Sequence, residues 1–149
     1  MISNYLKEYI HKKKCTLLGV GPMSFNCVNA VIELASEYSS PILLIASRRQ
    51  IDSLDYGGGY VNNWTTDKFC SYIKERDVKN KVILARDHGG PWQNPKEVSE
   101  KLGLNLAMES AKLSLKSDID AGMKILHLDP SIDIHKELKT EEILERLFE

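Results

Sequence analysis

The chain has 149 residues, 42% apolar and 28% charged, with a formal net charge of −1. That size and apolar content suit one packed domain and exclude a disordered chain. A charge this close to zero offers no field to gather nucleic acid or an anionic membrane, so neither is expected as a partner.

The opening stretch, MISNYLKEYIHKKKC, lacks an apolar core of signal-peptide length, and no later run approaches membrane-spanning length; the expectation is a cytoplasmic protein. Within the opening, Tyr5, Leu6, Tyr9 and Ile10 recur at helical spacing. Thr16 to Val20 then reads as an apolar strand closed by Gly19, Gly21 and Pro22. Ser24 is placed to cap a helix running to about Tyr38, with Val28, Val31, Ile32 and Ala35 on one buried face. Ser39, Ser40 and Pro41 break that helix before a second apolar strand, Ile42 to Ala46.

A long polar loop, SRRQIDSLDYGGGYVNNW, follows; its glycine triplet and aromatic residues suggest an ordered loop facing a ligand, with the glycines as a flexible lid. Thr65 or Thr66, followed by Asp67, caps a helix to about Arg76 whose apolar stripe includes Phe69, Tyr72 and Ile73. The run Lys81 to Ala85 is a third strand, and Arg86, Asp87 and His88 follow it into Gly89, Gly90 and Pro91. After a loop through Pro95 and Leu104, a helix from about Leu106 to Asp120 presents Met108, Ala111, Leu115 and Ile119, and Gly122 ends it. The fourth strand, Lys124 to Asp129, alternates so that Ile125, His127 and Asp129 share one face and Leu126 and Leu128 the other. Thr140 caps a last helix with Ile143, Leu144 and Leu147 on a buried stripe.

Four strands alternating with helices imply an α/β fold with a parallel sheet and right-handed crossovers. A (β/α)8 TIM barrel takes about 250 residues, so four units read as a half barrel, and the lack of a strand after the last helix favours that over a small open sheet. The whole chain, 1–149, is then one partial barrel domain. Cys15, Cys27 and Cys70 are odd in number and widely spaced, which points to reduced thiols rather than a disulfide framework or a zinc knuckle.

The chemistry concentrates where strands end, since ligands of parallel sheets bind at the carboxyl ends. At Asp87-His88 the residue types suit a proton-transferring carboxyl beside an imidazole that binds a divalent cation such as zinc, but no H-x-x-H or H-E-x-x-H pair lies nearby and the metal site is expected to be incomplete in this chain; the alternative is a capping Asp and a hydrogen-bonded His. His127, Asp129 and Ser131 could hold sugar hydroxyls, or Asp129 caps the Pro130 turn while His127 satisfies an acceptor in the core. Arg48 and Gln50, after the second strand, could bind an anionic group, against surface salt-bridging for one of the pair Arg48 and Arg49.

Asp87-His88-Gly89-Gly90-Pro91 with Trp92, Ala121-Gly122 leading to His127-Leu128-Asp129 and Ser131, and Gln50 with Gly58-Gly59-Tyr60 upstream of Phe69 together span most of the chain. In their order and spacing they resemble the first half of the accessory, non-catalytic subunit family of class II tagatose-bisphosphate aldolases. The resemblance implies a TIM barrel, carbohydrate metabolism with a sugar or sugar-phosphate ligand, and association with a metal-dependent catalytic subunit or with further copies. It assigns proton transfer to Asp87 and metal binding to His88; the candidate substrate-binding residues are Arg48, Gln50, Tyr60, His127, Asp129 and Ser131. Ile45 stands where the family carries an acidic residue, Arg49 where it carries Asn, and Gly21-Pro22-Met23 forms a different first loop. An enzyme in its own right, a metal-dependent sugar epimerase or aldolase using Asp87 and His88, is the alternative, and a free-standing flavodoxin-like module binding a small molecule is the third.

Overall fold

The computed structural model describes residues 2–148. In chain order it has α1 (Ile2–Lys13), β1 (Leu18–Val20), α2 (Phe25–Glu37), β2 (Ile42–Ser47), α3 (Thr66–Arg76), β3 (Val82–Gly89), α4 (Pro95–Ser99), α5 (Leu104–Ala121), β4 (Ile125–Leu128) and α6 (Thr140–Leu147). Local chemistry sets the boundaries. The Ser24 hydroxyl accepts the Cys27 amide at 3.1 Å to start α2, and Thr65 accepts the Lys68 amide at 3.3 Å to start α3. Gly122 ends α5 in the left-handed conformation, at φ +100°.

The four strands form one parallel sheet in the order β1-β2-β3-β4. A flavodoxin-like sheet reverses direction after its first strands, so the sequential order contradicts the flavodoxin-like form of the third reading. Leu44 and Ala46 of β2 and Leu84 of β3 turn towards the helices, where α2, α3 and α5 pack side by side. Val28, Val31, Ile32, Ala35, Phe69, Cys70 and Ile73 fill that core from the helix side, as their spacing predicts. On the second face lie Leu43 and Ile45 of β2, in register with Ile83 and Ala85 of β3, and Ala85 is paired in turn with Ile125. Leu43, Ile45 and Ile125 are half-buried there. Added at Gly19, a Cβ would meet Ile45 Cδ1 at 2.6 Å, so the glycine in β1 makes room for this apolar layer.

Several expectations are corrected. The third strand does not stop at Ala85 but continues to Gly89, because Ser47 of β2 pairs with Asp87 and Leu128 of β4 with Gly89. Asp87 and His88 therefore ride on the strand itself. The expected loop after Trp92 contains a short helix, α4, capped by Asn94, whose Oδ1 accepts the Lys96 amide at 2.8 Å. On α5 the buried face is turned towards Ser110, Ser114 and Asp118, while Ile119 is exposed. On α6, Leu144 and Leu147 are exposed and the buried side chain is Arg146, paired with Asp133 at 2.6 Å. The residues 48–65 do not form a free lid: Val61 and Gly59 donate to Gln50 O and Trp64 O, and Ile51, Val61 and Trp64 are buried.

The rotation of α5 has an electrostatic cause. Arg86 is wholly buried on β3, and its Nε and Nη2 grip the two oxygens of Asp118, each at 2.6 Å. Its Nη1 donates to Ala46 O and Ile51 O at 3.0 and 2.7 Å, closing the end of β2. Burial pushes the Asp118 carboxyl up, against the pull of the Arg86 guanidinium. The nearby Cys70 thiol is pushed up to about 12, first by burial and then by Asp118, which keeps it a protonated, unreactive core group. Removing one partner of such a pair strands the other charge in the core. Arg86→Met should therefore cost about 3–5 kcal/mol in urea unfolding, and the double variant Arg86→Met/Asp118→Leu should recover a substantial part of it.

Candidate functional site

The carboxyl ends of β3 and β4 carry the chemistry because two glycines let them meet. A Cβ at Gly90 would fall 1.7 Å from Asp129 O, and one at Gly89 would fall 2.7 Å from His127 O. The backbone after β3 thus lies directly against the backbone after β4. His88, next to last on β3, takes the left-handed conformation at φ +49°, which costs a non-glycine residue on the order of 1–3 kcal/mol. Two carboxylates hold it there: Asp87 Oδ1 accepts the His88 amide at 3.0 Å, and Asp129 Oδ2 lies 2.7 Å from His88 Nδ1.

Asp129 is the buried organiser of this rim, 9% exposed. Gln93 Nε2 donates to its Oδ2 at 2.9 Å, and the Ser131 hydroxyl and amide donate to its Oδ1 at 2.5 and 3.2 Å. Burial works to raise the Asp129 carboxyl, but the bonds from His88 and Ser131 outweigh it and hold it below the usual carboxylate range. An ionised Asp129 can only accept, so His88 Nδ1 donates in this bond and the Nε2 side of the ring faces Asp87. Outside that pair, Asp87 Oδ2 lies 3.5 Å from His88 Nε2, and Asp87 Oδ1 lies 3.1 Å from His127 Nδ1. Donor atoms of Asp87, His88 and His127 all lie within 4.8 Å of one another, and their side chains are 40%, 51% and 56% exposed.

The fold thus brings together Asp87, His88, His127, Asp129 and Ser131. It does not bring Arg48 to them. That side chain is fully buried, its Nε 3.1 Å from Asp52, its Nη1 on Gly90 O at 2.8 Å and its Nη2 2.6 Å from Glu97. Arg48 braces the β3 loop from beneath, and its guanidinium has no face left for an anion. Gln50 caps β2, its Oε1 accepting the Ser47 amide at 2.9 Å while its Nε2 lies 3.0 Å from Met23 Sδ. Tyr60 is exposed on the 48–65 loop, its amide on Arg49 O.

Sequence reasoning missed Gln93 and Asn94. Trp92 is fully buried, donating from Nε1 to Leu102 O at 2.8 Å, and it pins the loop so that Gln93 meets Asp129 and Asn94 meets Asp52 at 2.7 Å. The signal available was a large aromatic between Gly-Gly-Pro and two amides, a sequence suited to a loop packed inward.

Fold and site together define an all-parallel α/β protein with a two-histidine, two-carboxylate rim at the carboxyl ends of its strands. No known family model matches the chain. Among solved structures it is similar to a probable tagatose 6 phosphate kinase from Sinorhizobium meliloti 1021, with a TM-score of 0.70 and 22% identity over 89% of this chain. The chain spans about a third of that structure's length, 34%. The likeness shows the fold. No helix among the described residues is long and apolar enough to cross a membrane.

Because the Asp129 carboxyl is held low, its contribution to stability is present above its unfolded value of about 3.9 and is lost as pH falls through the lower folded value. His88→Ala removes one of the bonds responsible. The Asp129 carboxyl carbon, followed by 13C NMR, should titrate at a higher pH in this variant, and the variant should lose less stability than the parent across that acid window.

Proposed function

We propose that this chain forms about half of a class II aldolase-like TIM barrel, works in carbohydrate metabolism on a sugar or sugar phosphate, and acts as an accessory subunit beside a metal-dependent aldolase. The observation that carries the reading is the meeting of Asp87, His88 and His127 at the carboxyl ends of adjacent strands in a sheet of sequential order. The apolar second face, lined by Leu43, Ile45, Ile83 and Ala85, corresponds in this reading to the interior of the barrel; Ile83 and Ala85 are already buried, and the half-buried Leu43 and Ile45 are left for a complement to cover. A second copy or the catalytic subunit supplies it, in the cytoplasm. The likeness to a probable tagatose 6 phosphate kinase supports a sugar phosphate as the ligand class.

Ile45 supports the accessory role. It pairs with Ala85, two residues before Asp87 on the same face, so β2 brings an apolar side chain where the resemblance expects an acidic one. Ser47, beside Asp87, adds only a hydroxyl. The enzyme reading is favoured by a different observation: Asp87 lies within 3.5 Å of both imidazoles, where a carboxylate is well placed to exchange a proton. His88 fits a divalent cation, since Asp129 occupies its Nδ1 and leaves Nε2 available.

Mixing the purified chain with a class II tagatose-bisphosphate aldolase catalytic subunit separates the two. The accessory reading predicts co-elution in size-exclusion chromatography with light scattering, and raised aldolase activity that Asp87→Asn leaves intact. No complex, together with a ketose-phosphate turnover by the chain alone that Asp87→Asn abolishes, would replace it with the enzyme reading.

A further inference from the structure

We propose that His127 is a cation ligand, so that Asp87, His88 and His127 of one chain hold a zinc-class divalent ion, with Asp129 as the positioning residue for His88. This deepens the reading of the rim given above and takes from it only where the ligand binds; it stands whether the chain is an accessory subunit or an enzyme. It changes two assignments. His127 becomes a metal ligand instead of a sugar-hydroxyl partner, and Asp87 spends one oxygen on the ion.

The spacing argues for it. Zinc bonds to nitrogen and oxygen of roughly 2.0–2.1 Å place the corners of a tetrahedron about 3.3 Å apart. Asp87 Oδ2 lies 3.5 Å from His88 Nε2 and Asp87 Oδ1 lies 3.1 Å from His127 Nδ1, and one donor atom from each of the three residues lies within 4.8 Å of the other two, somewhat wider than that figure. The two rings stand 5.9 Å apart between centroids and tilted at 55°, so neither stacks on the other to fill the space between donors. Two imidazoles and one carboxylate are a donor set that zinc accepts, and three protein ligands leave a position for water or a sugar oxygen.

The outer layer argues for it independently. Asp129 is itself held by Gln93 and by both donors of Ser131, while it meets His88 at Nδ1 and so turns Nε2 towards Asp87. Such an ordered carboxylate behind a half-exposed histidine fixes its tautomer and ring orientation, the service that outer partners perform for metal-binding histidines.

The test uses the chain freed of metal by chelator, titrated with Zn2+ against a competing chelator and with Co2+ as a coloured substitute. The expected result is one ion per chain, visible Co2+ bands of four- or five-coordinate intensity, and at least 100-fold weaker binding in both His127→Ala and His127→Gln. Asp129→Asn should bind one ion about 10–100-fold more weakly. In 15N NMR the same variant should lose the single Nδ1-protonated form of His88, a change that loss of stability alone would not produce. His11→Ala, remote from the rim in sequence and structure, should bind as the parent does. No stoichiometric ion, or His127 variants that bind as tightly as the parent, would overturn the proposal. Ion binding without any complex with an aldolase subunit would instead sink the accessory role and leave this site in place.

Discussion

A buried guanidinium on β3 determines how the rest of the molecule is arranged. Arg86 sits in the middle of the sheet, where an unpaired charge would not be tolerated, and its demands are met from three directions. Asp118 comes from α5 and fixes the rotation of that helix; Ala46 O and Ile51 O come from the end of β2 and fix where the long loop departs. Thr66, at the start of α3, then donates to Asp118 at 3.3 Å. One side chain therefore ties strand, loop and two helices together just beneath the residues that carry chemistry. Arg48 repeats the device one step outward, joining Asp52, Glu97 and Gly90 O under the β3 loop. Both arginines serve the scaffold, and the rim above them is left to histidines and carboxylates.

The rim itself is layered by burial. Asp129, almost covered, is committed to Gln93, Ser131 and His88; Asp87, half-exposed, faces the two imidazoles and the solvent. Two carboxylates of the same intrinsic chemistry are thereby given different work, one to orient and one to meet what binds. The close approach of Gly90 to Asp129 is what allows both to reach His88, since any side chain at position 90 would separate the strand ends. The positive φ of His88 is stored strain that these contacts offset.

Much of this was legible in the sequence. The alternation of apolar runs with capped helices located every strand, and the Ser24, Thr65 and Gly122 signals located the ends of α2, α3 and α5. Asp87 with His88, and His127 with Asp129 and Ser131, stood out as two separate candidates from their place after strands, and the fold sets the two side by side, while Arg48, named with them, is turned into the core. What stayed hidden was the direction of long polar side chains. Hydropathy assigns Arg48 and Arg86 to the surface and Ile119, Leu144 and Leu147 to the core, whereas paired charges displace apolar residues from the buried faces of α5 and α6. The pairing of Arg86 with Asp118 spans 32 positions and that of Arg48 with Ser110 spans 62, and no local spacing rule reaches that far. The role of Gln93 was hidden for the same reason, because it depends on Trp92 being turned inward.

The central claim is that β3 and β4 of one chain build a single cation-binding rim from Asp87, His88 and His127. Diffraction from a zinc-soaked crystal, recorded on both sides of the zinc absorption edge, tests it most directly. The account predicts one anomalous peak per chain bounded by His88 Nε2, the Asp87 carboxylate and the His127 imidazole, with Asp129 still bonded to His88 Nδ1. Zinc found elsewhere on the chain, with His127 and Asp87 paired as they are without it, would contradict the account.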